Sequence, residues 1–159
     1  MNGPTNLRNS STPDRGLAAD RPRASLPIEE KGGLFFLGSR AGRIDEAVTT
    51  EQRALELARR LGHRGNEARA LYFLGNIHGY GPSPNPDQAR DSYQQAVRLA
   101  HELGMRPLLA QCHLALGELA GKAGNRPEAQ EHVNRAAEVF RKTGMQFWLR
   151  KAEAASQAL

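Results

Sequence analysis

The sequence predicts an all-α fold: an α-solenoid of antiparallel helix hairpins, about 2.5 to 3 repeats long with a C-terminal capping helix. Three observations carry this. From Leu34 onward, apolar residues recur three and four apart, which is helical spacing, and no alternating strand pattern competes. Alanine pairs seven apart (Ala47 and Ala54, Ala89 and Ala96, Ala129 and Ala136) recur at intervals of 42 and then 40 residues. Each pair is followed by a helix-ending glycine, Gly62, Gly104 or Gly144, which tolerates the left-handed backbone of a C-terminal cap.

Residues 1–31 are rich in Pro, Gly, Ser and Asn, with mixed charge and no apolar periodicity that could offset the entropy of ordering. They read as a disordered segment ahead of a repeat domain at 32–159. GGLFFLGSR then stands where a full first helix is expected, at about half the length. Leu34, Phe35, Phe36 and Leu37 either plug an open apolar end of the array or form a short core helix. IDEAVTTEQRALELARR reads as the second helix of that first unit.

The next units are more complete. ALYFLGNIH and CHLALGELA place Leu74-Gly75 and Leu116-Gly117 at an interval of 42. Two antiparallel helices approach to about 8–10 Å only where the contact residues are small. Gly75, Ala89 and Ala96 therefore mark one crossing and Gly117, Ala129 and Ala136 the next. Leu71, Leu74, Tyr93, Val97, Leu116, Val133 and Phe140 fill the space around them. Asn85-Pro86-Asp87-Gln88 and Asn125-Arg126-Pro127-Glu128 start the second helices with a capping amide, a proline and a reciprocal Gln or Glu. MQFWLRKAEAASQAL begins like a first helix but carries Ser156-Gln157 where Leu-Gly would stand. It is expected to cap the stack, with Phe147, Trp148 and Ala152 inward and Arg150, Lys151 and Glu153 outward.

Composition narrows the function. Twenty-two basic against seventeen acidic side chains give a net charge of +5, but the basic groups are interleaved with carboxylates rather than gathered into the patch that nucleic acid needs. Nucleic acid is disfavoured as a partner. One cysteine, Cys112, excludes an internal disulfide and a Cys-based zinc site. The amino terminus has no apolar signal region and no run is long enough to span a bilayer, so no membrane association and a cytoplasmic location are expected. Eighteen Arg against four Lys, with abundant Ala, points to a high-GC bacterial source. The five histidines have no pair spaced three or four apart, and Cys112-His113 are adjacent, about 100° apart around a helix. His113 is expected to be a hydrogen-bonded packing residue. GYGPSPNP lacks the lysine of a phosphate-binding loop and contains three prolines without N–H groups, so it reads as an inter-helix loop. No enzyme activity, cofactor or metal is expected.

Leu71-x-x-Leu74-Gly75, Leu116-Gly117, Gly124 and Ala89-x-x-x-Tyr93-x-x-Ala96 resemble the signature of the tetratricopeptide repeat family over about residues 34–158. The 40–42 residue period exceeds the family's 34, helix-ending glycines replace its closing proline, and one loop is about two residues longer. The run from Tyr93 onward is similar to the C-terminal arrays of bacterial signalling proteins that join a nucleotidyl cyclase or DNA-binding regulator to a signal-transduction ATPase. That resemblance implies a protein or peptide partner and a regulatory role. The alternative it implies is a C-terminal fragment of a larger ATPase, adenylate/guanylate cyclase or transcriptional regulator whose catalytic domains lie elsewhere. In the family the first helix of each hairpin lines a concave groove, which here would be formed by Arg69, Tyr72 and Asn76 from one unit and Gln111, Leu114, Glu118 and Lys122 from the next.

Overall fold

The computed structural model describes residues 43–159. The expectations for residues 1–31 and for Leu34 to Leu37 lie outside the described residues. Six helices follow in order: α1 (Ile44–Arg60), α2 (Arg64–Tyr80), α3 (Pro86–Glu102), α4 (Arg106–Lys122), α5 (Arg126–Lys142) and α6 (Gln146–Gln157). No strand occurs among the described residues. The fold is an all-α repeat solenoid, and no described helix is long and apolar enough to cross a membrane.

The helices start and stop where local chemistry directs them. Asn85 Oδ1 accepts from the Gln88 amide at 3.1 Å, and Pro86 occupies the first turn of α3, where its missing N–H costs nothing. Asn125 caps α5 through the Glu128 amide, while its own Nδ2 donates to Glu128 Oε2 at 2.6 Å. At the other end, Gly104 takes φ +64° and lets two amides turn back: Gly104 N–H to His101 O at 3.1 Å and Met105 N–H to Ala100 O at 2.8 Å. This closure repeats after α1, α4 and α5, giving three-residue connections. The half-buried Met105 and Met145 pack on the core directly behind it. Only the α2–α3 connection, residues 81–85, is two residues longer, as GYGPSPNP suggested.

Packing makes two layers. In α3 the buried stripe is Ala89, Tyr93, Ala96 and Ala100, one face of a helix, and in α5 it is Ala129, Val133, Ala136 and Phe140. By contrast α2 and α4 are buried on more than one face, since each sits between the second helices of two hairpins and beside another first helix. The inner layer is therefore α2, α4 and α6, and the outer layer α1, α3 and α5. Gly75 and Gly117 mark the closest approaches: a Cβ on Gly117 would lie 2.7 Å from Val133 Cγ2 and 3.1 Å from the Ala129 carbonyl oxygen.

Three expectations are corrected. Ala54 is exposed and Ala47 only half-buried, because the face of α1 that matches Ala89 and Ala96 of α3 has no helix against it among the described residues; α1 packs on α2 through Leu55 and Ala58 instead. Phe147 is 40% exposed, and Leu149 with Ala152 forms the buried stripe of α6. Lys151 does not point outward but lies half-buried against Glu118, at 3.7 Å. Where α4 buries Ala110, Leu116 and Gly117, the positions 40 residues on in α6 are Arg150, Ser156 and Gln157, so α6 departs from the repeat on that face.

Candidate interaction surface

The inner face is built at two junctions. At the first, between α2, α3 and α4, the space is full. Tyr93 reaches up from α3, 1% exposed, and its hydroxyl donates to Asn76 Oδ1 at 2.9 Å. Tyr72 packs beside it with ring centroids 6.1 Å apart, and Cys112, Ala115 and Leu116 of α4 belong to the same core, while Leu114 packs in the next cluster with Val133 and Phe140. Above them the Tyr80 hydroxyl donates to the Glu118 carboxylate, and the Lys122 ammonium stands 4.2 Å from the Tyr80 ring centroid. Burial, reinforced by the Glu118 charge, pushes the Tyr80 phenol far above its ordinary value, so it remains a donor. Burial likewise raises Tyr72, to about 12.

At the second junction, between α4, α5 and the end of α6, the same region is open. A cavity of about 720 Å³ lies over Gly117, Gly121 and Val133 and beneath Ala154, Ala155 and Ala158. Glu118, Lys122, Arg126 and Lys151 stand around it. Lys151 lies between the Glu118 carboxylate and the Trp148 ring, 5.4 Å from the ring centroid. Phe140 stacks on Trp148 at 5.9 Å, which makes the tryptophan a packing residue at the base of α6.

The structure sorts the seven groove residues expected from the sequence. Arg69, Gln111, Glu118 and Lys122 keep exposed or half-exposed side chains on α2 and α4. Tyr72, Asn76 and Leu114 are a correction: each is buried, Asn76 holds the Tyr93 hydroxyl, and none offers its side chain to a partner. The cause is that α2 and α4 pack on two sides, which leaves a narrower free stripe than one hairpin alone would. Tyr80 and Lys151 were missed. Tyr80 sits four residues after Asn76, one helical turn further along the same stripe, and that spacing was the available signal. Lys151 owes its position to Glu118 on another helix, which no local pattern reveals.

Two other groups were tested for chemistry. The Cys112 thiol is fully buried and pushed up to about 12 by that burial, so it is a neutral packing group. His113 of α4 and His132 of α5 bring their Nδ1 atoms to 3.0 Å, a pairing between helices that same-helix spacing could not show. One ring must donate and the other accept, so the two cannot both be protonated while the contact holds. Burial, with the neighbouring His132 and Arg135, holds His113 at about 4. Among the described residues no three His, Cys, Asp or Glu side chains gather as a metal site would require.

Comparison with known proteins agrees with this geometry over the middle of the chain. No curated protein matches the sequence. The family model described as Tetratricopeptide repeat matches residues 85–142, the stretch from the cap of α3 to the end of α5. Residues 85–142 are therefore similar to the tetratricopeptide repeat, and they lie within an all-α repeat solenoid of six described helices.

Proposed function

We propose that this chain is a protein-interaction module that holds an extended or helical peptide segment along the inner face of α2, α4 and α6. The observation that carries the reading is the linked set of Tyr80, Glu118, Lys122 and Lys151. Side chains from three successive inner helices hold one another in place across the surface, beside an open cavity. Polar groups already ordered before a partner arrives lose less freedom on binding. In the cell the module serves a regulatory role in bacterial signalling. The Arg- and Ala-rich composition and the resemblance to arrays attached to cyclases and signalling ATPases support that role.

The test is a photoreactive amino acid placed at Lys122 on the inner face and, separately, at Arg98 on the outer helix α3. Partner cross-links are expected from Lys122 and not from Arg98. The reverse pattern would overturn the proposal.

A further inference from the structure

We propose that one edge of the array, the row of short turns joining α1 to α2, α3 to α4 and α5 to α6, rests on an anionic lipid surface. This edge is separate from the peptide surface proposed above, and neither reading depends on the other.

The first observation is where the exposed apolar groups fall. Among the described residues the large exposed ones are Leu57, Leu61, Tyr80, Leu103 and Phe147. Tyr80 belongs to the inner face, where its hydroxyl meets Glu118. The other four, at 53, 57, 39 and 40% exposure, all lie beside the three turns. Leu61 and Leu103 are the C-cap residues of α1 and α3, at the same place in successive repeats. The third repeat has Thr143 there, and Phe147 in the first turn of α6 supplies the apolar group instead. Leucines scattered singly over a surface need no explanation, but a row confined to one edge does. The turns close through backbone hydrogen bonds at Gly62 and Gly104, which ask nothing of the leucine side chains.

Charge gathers on the same edge. Residues 57–64, 99–106 and 139–146 carry six Arg and Lys against one carboxylate, Glu102, a net charge of +5. The rest of the described chain carries ten against twelve, a net charge of −2, so the positive field belongs to this edge. Interleaving along the chain hides it, because the three stretches come together only in the stack. Each turn also brings an exposed basic side chain with no ion-pair partner among the described residues: Arg60, Arg106 and Arg141. Arg64 on the first turn reaches Glu102 on the second, which places those two turns within side-chain reach of each other. Guanidinium groups beside exposed Leu and Phe match a lipid surface, the cations meeting headgroup phosphates and the apolar groups entering among the upper acyl carbons. Such a contact needs no membrane-spanning helix. A nucleic-acid duplex would answer the charges and leave the leucines in water.

The experiment uses the full chain and co-sedimentation with vesicles of equal parts phosphatidylglycerol and phosphatidylcholine, against vesicles of phosphatidylcholine alone. Binding to the anionic vesicles is expected to be at least about tenfold stronger and to fall as salt rises. Leu61→Ser with Leu103→Ser, both at exposed positions, should weaken it about tenfold while keeping the helical circular dichroism. Arg60→Glu with Arg141→Glu should weaken it at least about tenfold, since each basic group near such a surface is worth about fivefold. Arg43→Glu with Arg53→Glu makes the same change in net charge on α1 away from the turns, and should stay within about threefold of the parent. Equal binding to both kinds of vesicle, full binding by the serine variant, or an equal loss in the α1 control would overturn the proposal. So would an absence of vesicle binding: salt-sensitive retention on duplex DNA would then assign the edge to nucleic acid, and a dimer dissolved by the serine pair would assign it to a second copy of the chain.

Discussion

The close approach of the hairpin helices makes a sharp claim about three glycines in near-identical helical settings. On Gly75 a Cβ would lie 2.5 Å from both Cδ1 and Cε1 of Tyr93, a ring pinned by its hydrogen bond to Asn76 and surrounded by core. On Gly79, one turn later on the same helix, the nearest atoms would be 3.5 and 3.6 Å away, ordinary contact. On Gly121 the one tight neighbour is Leu159 Cδ2 at 2.7 Å, the far end of a flexible, half-buried side chain, which can move. Replacing glycine by alanine inside a helix returns about 1 kcal/mol of backbone propensity. Overpacking a core costs about 1–3 kcal/mol, and a clash with an immobile ring belongs at the upper end. Gly75→Ala should therefore lose about 1–2 kcal/mol net. Gly79→Ala should gain about 0.5–1, and Gly121→Ala should be neutral or slightly stabilising. The spread between Gly75→Ala and Gly79→Ala, about 1.5–3 kcal/mol, amounts to about 6–12 °C in Tm for a domain of this size. Urea and thermal unfolding followed by circular dichroism would measure it. If the two variants shift stability in the same direction, the packing of α2 on α3 described above is wrong.

Three further outcomes are expected. The folded chain holds His113 and His132 below their ordinary value of 6.5, His113 at about 4, chiefly by burial and with Arg135 opposing Glu128 and Glu131 nearby. The unfolded chain therefore binds more protons between these values, so stability is full above about pH 6.5 and falls as pH drops toward 4. His113→Gln should flatten that slope in urea melts taken across the range, and an unchanged slope would place the titration elsewhere. Asn85→Ala removes the amide cap of α3 and should cost about 1 kcal/mol, measured by the same melts. Cys112, fully buried and held as a thiol, should resist alkylation by iodoacetamide in the native state and react at the rate of unfolding; fast labelling would contradict its burial.

The parts of this fold that were legible in the sequence are those set by each helix on its own. Asn85, Pro86 and Gly104 bracket α3 within a single stretch of chain, and Leu74-Gly75 facing Ala89 and Ala96 follows from the need for small residues at a crossing. What failed depended on a second helix. Ala54 occupies the same repeat position as the buried Ala96, yet burial belongs to a pair of elements and not to a residue, and the described chain supplies no partner there. Tyr72 and Leu114 share a stripe with Arg69 and Glu118, and helical period alone cannot say where a helix buried on two sides becomes a surface. The His113–His132 pair and the Lys151–Glu118 contact join residues 19 and 33 apart in sequence, on different helices, and could be seen only once those helices were placed.

The two hairpins close by different means. Over Gly75 the nearest atoms of α3 belong to the Tyr93 ring, whereas over Gly117 the Ala129 carbonyl oxygen and the Val133 amide nitrogen stand 3.1 and 3.2 Å from where a Cβ would be, so the smaller side chain in α5 lets its backbone come nearer. Tyr93 and Val133 are each 1% exposed, so the ring in one repeat and the closer backbone in the next seal their crossings equally well. A helix backbone cannot tilt aside as a side chain can, so Gly117→Ala should lose at least about 1–2 kcal/mol in the same urea melts. A neutral Gly117→Ala would refute the close approach of α4 and α5.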